Sequence, residues 1–379
     1  MDLYRHSIEV ILQNQHSSGA YIASPVFSNY HYCWLRDGSF IAHAMDRVGE
    51  FQSAEAFFYW VDRTIDKYSY KLDALETQIK NDPAHLEPYI LHTRFTLEGE
   101  EESADSQWGN FQIDGYGTWL WALASHIRLT GNDALLSEFS NSIKATIRYL
   151  KATWQLPNYD CWEEHPEYLH PYSLTAVYGG LRAIADLMVE RNPATHSIFV
   201  EDFAAEVKDF LRKFAVKDDK FVKHVWPPTF KQLARPVIKS GVDSSLLGLA
   251  VPYQVFDLDD PILQNTIQMI EKELHRPSGG VYRYKEDVYY GGGEWLLLSA
   301  WLGWFYAVSG DTSKAQTLLA WIEANADSAG NMPEQVSAHP LAPRELQPWV
   351  DKWGPVASPL LWSHAMYLIL AEEIHQHPL

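Results

Sequence analysis

Apolar residues recur at intervals of three and four positions along most of this chain, which is the spacing of a helix that buries one face. The pattern predicts about a dozen helices and therefore an all-α fold. It is clearest in RHSIEVILQNQ (5–15), GSFIAHAMDRVGEFQSAEAFFYWVDRTIDKY (38–68), TWLWALASHIRLTG (118–131), NDALLSEFSNSIKATIRYLKATW (132–154), LTAVYGGLRAIADLMVERN (174–192) and GEWLLLSAWLGWFYAVSG (293–310).

Short turns join several of these stretches in pairs. Gly131 and Gly310 stand where one helix should end, and Asp133 and Thr312 can cap the helix that follows. About six such antiparallel hairpins can close into two concentric rings, the (α/α)6 barrel, in which the ends of the inner helices and their loops form a pocket. No low-complexity linker and no repeat of fixed period interrupts the sequence, so we expect a single domain over residues 1–379.

Charge and hydropathy exclude several classes of partner. The formal net charge is −19, from 49 acidic and 30 basic residues, and would repel a nucleic acid or an anionic membrane.

The most apolar segment, Glu294 to Val308, is too short to span a bilayer, and MDLYRHSIEV shows no signal peptide. With Cys33 and Cys161 as the only cysteines, we expect free thiols and a cytoplasmic location. The oligomeric state is left open.

Aromatic residues make up 14% of the chain, with 15 Trp and 21 Tyr. Such rings fill cores, and they also offer flat faces on which sugars stack. Many fall, together with arginines and acidic residues, in connections that are too long for simple turns, and such loops usually carry function. These connections are SPVFSNYHYCWLRDGS (24–39), EGEEESADSQWGNFQIDGYG (98–117), WQLPNYDCWEEHPEYLHPYS (154–173), HRPSGGVYRYKEDVYYGGG (275–293) and AGNMPEQVSAHPLAPRELQPWVDKWGPVASP (329–359).

Two of these loops contain candidate catalytic carboxyl groups. Hydrolysis of a glycosidic bond needs one protonated and one ionised carboxyl group on either side of a sugar. Glu163, with the like charge of Glu164 beside it and Trp162 before it, suits the acid, and Glu334 in NMPEQV is a candidate for the second group. The residues alone leave open that each glutamate is a solvated or structural side chain.

Other motifs have plainer interpretations. Arg36 and Asp37 could form a structural ion pair, and the acidic run EGEEESADS is typical of a solvated loop. His165 and His170 are accompanied by no metal-ligand motif, so no metal site is predicted. The glycines of YYGGGEW fit neither a phosphate loop nor a dinucleotide fingerprint, so no cofactor is expected.

Five motifs follow one another in a specific order over nearly the whole chain: YHYCWLRDGSFI, WGNFQIDGYG, DCWEEH, VYRYKEDVYYGGGEWLL, and PEQV with SPLLWSHA. In this order they resemble the glucoamylase family, glycoside hydrolase family fifteen, which also holds glucodextranases, isomaltose-acting glucohydrolases and some trehalases. The resemblance implies an (α/α)6 barrel and an inverting exo-hydrolase that releases glucose from a non-reducing end.

The same resemblance implies roles for individual residues. Glu163 matches the general acid and Glu334 the general base that activates water. Arg36 and Asp37 match a pair that grips the hydroxyls of the terminal glucose, and Glu164 matches a carboxylate that binds substrate. The full set of expected substrate-binding residues is Tyr30, Trp34, Arg36, Asp37, Trp108, Trp162, Glu164, Arg283 and Tyr289.

Departures from the family pattern narrow the expected substrate. Lys285 stands where many starch-acting relatives have proline, and YYGGGEW replaces a more polar turn, so the leaving-group side should differ. No starch-binding module or preceding β-sandwich domain is evident. We therefore expect short α-glucooligosaccharides, with α-1,6-linked isomaltose-like substrates slightly preferred over α-1,4-linked maltose-like ones and trehalose third. An inverting disaccharide phosphorylase and a non-catalytic sugar-binding helical scaffold are the alternatives.

Overall fold

Helices dominate the computed structural model, which describes residues 2–82, 85–102, 108–192, 198–229, 232–237 and 241–376. The helices are Leu3–Gln13 (α1), Leu35–Arg47 (α2), Phe51–Tyr68 (α3), Lys71–Asn81 (α4), Asp114–Thr130 (α5), Ala134–Glu138 (α6), Ser140–Thr153 (α7), Pro171–Arg191 (α8), Ile198–Phe214 (α9), Pro261–Glu273 (α10), Leu296–Val308 (α11), Thr312–Ala324 (α12), Pro343–Trp353 (α13) and Leu361–Gln376 (α14). Short strands are Cys33–Trp34 (β1), Arg94–Phe95 (β2), Val216–Lys217 (β3), Lys220–Phe221 (β4), Val225–Trp226 (β5), Arg235–Pro236 (β6), Glu294–Trp295 (β7) and Gln335–Val336 (β8).

Helix packing closes a ring. Helix α2 packs against α5, α5 against α8, α8 against the 3₁₀ segment Ser244–Leu249, that segment against α11, α11 against α14, and α14 against α2. Around this inner ring lie α3, α7, α9, α10, α12 and α1, each in contact with at least one inner member. Since inner and outer members alternate along the chain, the predicted (α/α)6 barrel is confirmed.

The tightest contact in the ring is between α5 and α8. A Cβ atom added to Gly117 would lie 2.2 Å from the carbonyl oxygen of Ala176, and one added to Gly180 would lie 2.2 Å from the carbonyl oxygen of Gly117. The two backbones therefore touch directly, which only glycine permits.

One inner member was not predicted from helical periodicity. The segment Ser244–Leu249 is only six residues of 3₁₀ helix, and all six are buried. A buried segment shorter than two helical turns cannot show an amphipathic repeat, so the sequence pattern misses it.

The predicted hairpin turns are present, but their caps differ. The Asp133 side chain makes no capping hydrogen bond. Its carboxylate instead pairs with Arg191 at 2.7 Å, because a charged guanidinium binds a carboxylate more strongly than a backbone amide does. Thr312 is the first residue of α12, and the cap is Asp311, whose carboxylate accepts the amide of Lys314 at 3.2 Å. The cap prediction was therefore wrong for Thr312, whereas Asp133 occupies the N-cap position without the expected side-chain bond.

Helix α13 lies inside the segment predicted as the long loop 329–359. It begins at Pro343 and contains Pro348, a residue that normally marks a helix end, and none of its residues is buried. Leu346, Trp349 and Val350 nevertheless share one face and pack against a small apolar cluster apart from the main core. Because prolines usually end helices, this short apolar pattern did not predict a helix.

The main core is one cluster of buried apolar residues that extends from α1 to α14, as expected for one domain. The limits 1–379 stay a prediction. Within the described residues, no helix combines the length and the apolar character that crossing a bilayer requires. The cytoplasmic location likewise stays a prediction.

Two small antiparallel ladders position residues at one end of the inner ring. Strand β1 pairs with β2, and Trp34 is opposite Arg94 immediately before α2. Strand β7 pairs with β8, so that Trp295 is opposite Gln335, the neighbour of Glu334. Both ladders lie at the amino-terminal ends of inner helices, where unpaired amide groups and the helix dipole favour negative charge.

Candidate active site

A pocket of about 390 Å³ opens at the amino-terminal end of the inner ring. Its wall comes from the segments that precede α2, α5, α8, α11 and α14, the same long connections that the sequence singled out. Every predicted site residue lines it: Tyr30, Trp34, Arg36, Asp37, Trp108, Trp162, Glu163, Glu164, Arg283, Tyr289 and Glu334. The fold thus brings together side chains that lie up to 304 positions apart in the chain, as for Tyr30 and Glu334.

Glu163 occupies a strained turn that Asp160 closes. Its φ angle is 67°, in the left-handed region that costs a non-glycine residue about 1–3 kcal/mol. One carboxylate oxygen of Asp160, Oδ1, accepts the amides of Trp162 and Glu164, both at 2.9 Å, and the carbonyl oxygen of Asp160 accepts the amide of Glu163 at 2.9 Å. These bonds fix the backbone that presents Glu163 to the pocket.

Tryptophans hold the surroundings of Glu163. The indole Nε1 of Trp34 donates to Oε1 of Glu163 at 2.5 Å. Trp162, which precedes Glu163, donates its indole N–H to both carboxylate oxygens of Asp243, with Nε1–oxygen distances of 3.1 and 3.0 Å. The Glu163 carboxyl group therefore sits at a defined position with one oxygen engaged.

Glu334 is buried, and only one of its two carboxylate oxygens has a hydrogen-bond partner in the described residues. Tyr30 donates its hydroxyl to Oε1 at 2.9 Å, and the Tyr30 hydroxyl lies 2.9 Å from that of Tyr289. The other oxygen, Oε2, is buried and has no hydrogen-bond partner within the described residues. Burial raises the pKa of Glu334 to about 7, although the Tyr30 hydroxyl and the charge of Arg283 work in the opposite direction.

Glu164 is bound by two side chains rather than left in solvent. Tyr284 donates its hydroxyl to Oε2 at 2.5 Å, and Nη2 of Arg283 lies 3.4 Å from Oε1. Burial alone would raise the pKa of Glu164, but Arg283 and Tyr284 outweigh it, so the pKa is lowered and the group is an anion. Arg283 is itself fixed by a two-point contact with Asp287, at 2.7 and 2.5 Å.

Arg36 and Asp37 form a buried pair that also faces the pocket. Nε of Arg36 lies 3.3 Å from Asp37, while Nη1 donates to Asp114 at 3.0 Å and to Gln112 at 3.1 Å. Burial raises the pKa of Asp37 to about 6 against the opposing charge of Arg36. Arg36 and Asp37 therefore form the ion pair and also line the pocket, and their role in binding sugar stays a prediction.

The acidic run was predicted to be a solvated loop, and for Glu102 this is wrong. Its carboxylate takes a two-point contact from Arg94, at 3.1 and 2.5 Å, and the pair is nearly buried. The Arg94 guanidinium lies 3.8 Å from the ring of Trp108 and 5.0 Å from that of Trp34. The Arg94 guanidinium is thus stabilised in this nearly buried position both by the Glu102 carboxylate and by stacking on the pocket tryptophans. Residues 103–106 of this run lie outside the described residues.

Sequence reasoning missed one wall of the pocket. Helix α13 contributes Trp349, Lys352 and Trp353, and the Trp349 ring lies 4.9 Å from that of Tyr289. Tyr284, which binds Glu164, was also missed. The only signal for α13 was the short apolar spacing of Leu346, Trp349 and Val350, interrupted by a proline.

Comparison with known proteins gives a consistent answer. Residues 1–372 match the family described as glycosyl hydrolases family 15. The isomaltose glucohydrolase of Kribbella flavida is 40% identical over 374 residues, which cover 98% of this chain and 92% of that protein. Trehalase 1 of Sulfolobus acidocaldarius is 26% identical over 343 residues, 84% of this chain and 56% of that protein.

Solved structures agree. A wild-type glycosidase superposes with a TM-score of 0.90 at 40% identity and covers 100% of this chain and 97% of its own. A bacterial glucoamylase in complex with acarbose shares the fold, with a TM-score of 0.71 at 20% identity over 99% of this chain and 55% of its own. Fold, pocket and relatives together define a glycoside hydrolase. The chain belongs to glycosyl hydrolases family 15.

Proposed function

We propose that this chain is an inverting, exo-acting α-glucoside hydrolase that releases β-glucose from the non-reducing end of short α-glucooligosaccharides. The observation that carries the proposal is the state of Glu334: a buried carboxyl group with Oε1 held by Tyr30 and Oε2 without a hydrogen-bond partner in the described residues, in the same pocket as Glu163. Family membership and the isomaltose glucohydrolase relative support action on α-glucosides.

In this mechanism both carboxyl groups act in one displacement. Glu334 takes a proton from water as the water oxygen attacks the anomeric carbon from the β face, and Glu163 gives its proton to the departing glycosidic oxygen. Inversion needs the two carboxyl groups roughly 6.5–9.5 Å apart, so that the water fits between the base and the sugar. Glu334 and Glu163 are not hydrogen-bonded to each other. Tyr30 holds Glu334 and Trp34 holds Glu163, and the ring centroids of Tyr30 and Trp34 lie 5.6 Å apart.

Charged groups around the pair suit the binding of sugar hydroxyls. Glu164 and Asp37 offer carboxylate oxygens as acceptors, and the guanidinium groups of Arg36 and Arg283 offer N–H donors, all on the pocket wall. Because each of these groups is held by a neighbour of opposite charge, it is oriented before substrate arrives. Such preorganisation favours tight recognition of the terminal glucose.

Substrate length and linkage rest on the pocket and on the relative. A volume of about 390 Å³ suits a small ligand, and α13 adds aromatic side chains to the pocket wall. We infer a preference for isomaltose-like α-1,6 links over maltose-like α-1,4 links, since the relative named for isomaltose is similar over 98% of the chain.

Phosphorolysis is the rival reaction on such a barrel, and the charge pattern does not favour it. A phosphate nucleophile needs uncommitted cations beside the reacting carbon. Of the cations on the described pocket wall, Arg36 and Arg283 are buried and already pair with carboxylates, and Lys352 is exposed on α13. Membership in a hydrolase family also argues against a non-catalytic scaffold.

A substrate panel tests the proposal. We expect isomaltose to be hydrolysed with a higher kcat/KM than maltose, and trehalose to be the poorest of the three. Added phosphate should leave the rate unchanged and yield no glucose 1-phosphate. A higher kcat/KM for maltose or trehalose would overturn the linkage preference, and phosphate-dependent sugar phosphate would overturn hydrolysis.

The pH profile should report Glu334. Because the base must be ionised, kcat/KM should rise as pH increases through about 7, the pKa of Glu334 in the free enzyme. Tyr30→Phe removes an O–H that stabilises the Glu334 carboxylate, so the rising limb of the pH profile should move to higher pH. The loss of activity should be largest below neutral pH. Tyr290→Phe is the control, because the Tyr290 hydroxyl donates to the carbonyl of Gly354 instead. A limb that stays in place or moves to lower pH in Tyr30→Phe would contradict the assignment.

A further inference from the structure

Three ligand-type side chains meet behind the turn that carries Glu163. Asp160, His170 and His224 each place one oxygen or nitrogen within 4.8 Å of the other two. They come from the turn itself, from the residue before α8 and from the residue before β5, and all three are buried. We propose that they form a binding site for a divalent transition-metal ion such as Zn²⁺, and this holds whether or not the proposed hydrolytic reaction is correct.

The orientation of His170 is that of a metal ligand. Its Nε2 lies 2.7 Å from the carbonyl oxygen of Asn158 and 3.1 Å from that of His165, so the ring proton belongs on Nε2. The other nitrogen, Nδ1, then presents a lone pair toward Nδ1 of His224, 3.0 Å away. Metal-bound histidines commonly donate their second N–H to a backbone carbonyl in this way.

The spacing of the two nitrogens also fits. Two imidazole nitrogens bound to a tetrahedral Zn²⁺ at about 2.1 Å lie roughly 3.4 Å apart. The observed 3.0 Å needs only a small adjustment to admit an ion between the rings. Without an ion, the contact requires His224 to carry its proton on Nδ1 and uses that nitrogen for one hydrogen bond.

Asp160 completes the set with a carboxylate that has one oxygen without a hydrogen-bond partner in the described residues. Its Oδ1 accepts the amides of Trp162 and Glu164, whereas Oδ2 is buried and has no hydrogen-bond partner within the described residues. Two imidazoles and one carboxylate are a donor set that suits Zn²⁺ and similar ions. The nearby ammonium of Lys223 is directed elsewhere: it lies 3.5 Å from Asp243 and 3.0 Å from the centroid of the Tyr284 ring.

The sequence could not show this site, because His170 and His224 are 54 positions apart and fit no ligand motif. Its place in the fold indicates a structural ion rather than a reacting one. By holding Asp160, the ion would hold the turn whose amides Asp160 binds, and no step of the hydrolysis passes through it.

Cobalt substitution tests the proposal on the intact protein. After dialysis against a chelator and removal of the chelator, the wild-type chain should bind one Co²⁺ with visible d–d absorption of a low-coordinate nitrogen and oxygen site, and Zn²⁺ should displace it. Metal content after zinc loading should be one ion per chain, and zinc should raise Tm. His224→Gln should weaken Co²⁺ binding more than about tenfold and lose the Tm rise. His31→Gln, an exposed histidine outside the cluster, should behave like wild type.

Two results would overturn the proposal. One is a folded wild-type chain that shows no d–d absorption and less than stoichiometric zinc. The other is zinc binding in His224→Gln equal to that of the wild type, which would place the ion elsewhere. Should His224→Gln fail to fold, the wild-type spectrum and metal content decide alone.

Discussion

Glu334→Ala should lower kcat for isomaltose by about a thousandfold, the middle of the range for losing a general base. Without this carboxylate, the attacking water loses the group assigned to take its proton, so the water remains a poor nucleophile. Glu334 is buried and its Oε2 has no protein partner in the described part of the chain, so the substitution breaks few contacts, chiefly the bond from Tyr30. The fold should therefore survive, as judged by circular dichroism and Tm, while glucose release is measured.

A small anion separates a lost base from a distorted pocket. Azide can attack the anomeric carbon without giving up a proton, so azide should restore turnover of Glu334→Ala and yield β-glucosyl azide. Glu345→Ala, the same change at an exposed glutamate of α13, should retain wild-type activity. Activity of Glu334→Ala within tenfold of wild type would remove Glu334 from the mechanism.

Glu163→Gln should have a comparable effect that depends on the leaving group. For isomaltose the departing oxygen needs a proton, so kcat should fall by about a thousandfold. Fluoride leaves without one, so α-glucosyl fluoride should be hydrolysed far more nearly at the wild-type rate. Glutamine can still accept the N–H of Trp34, which keeps the turn in place.

The matched control is Glu167→Gln, an exposed glutamate four positions along the same loop that does not line the pocket. It should hydrolyse both substrates normally. Equal losses on isomaltose and on the fluoride in Glu163→Gln would indicate a binding or structural role for Glu163. Near-normal glucose release from isomaltose would refute the general acid assignment outright.

Much of the architecture could be predicted from local pattern. Helices such as α5 and α8 show their buried faces in the sequence, and Gly131 ends α5 with the φ angle of 71° that a glycine turn allows. Local sequence patterns did not predict the elements whose structure depends on tertiary packing. The inner-ring segment Ser244–Leu249 is too short to have a period, and α13 contains a proline.

The site shows the same division. Motif order was sufficient to select Glu163, Glu334 and their neighbours, and the fold brings all of them to one pocket. Most of their partners could not be predicted, because these partners are specified by contacts between distant segments. Asp160 closes the Glu163 turn from within its own loop, but the Arg94 contact with Trp108 and the Tyr30 contact with Glu334 exist only once the barrel has closed.

The configuration of the first product tests the central claim most directly. Isomaltose should be hydrolysed at high enzyme concentration inside an NMR tube, and the anomeric proton signals of glucose recorded before mutarotation equilibrates them. If Glu163 and Glu334 act in a single displacement, the glucose released from the non-reducing end appears first as the β anomer. Glucose released first as the α anomer would mean retention of configuration and would contradict the mechanism.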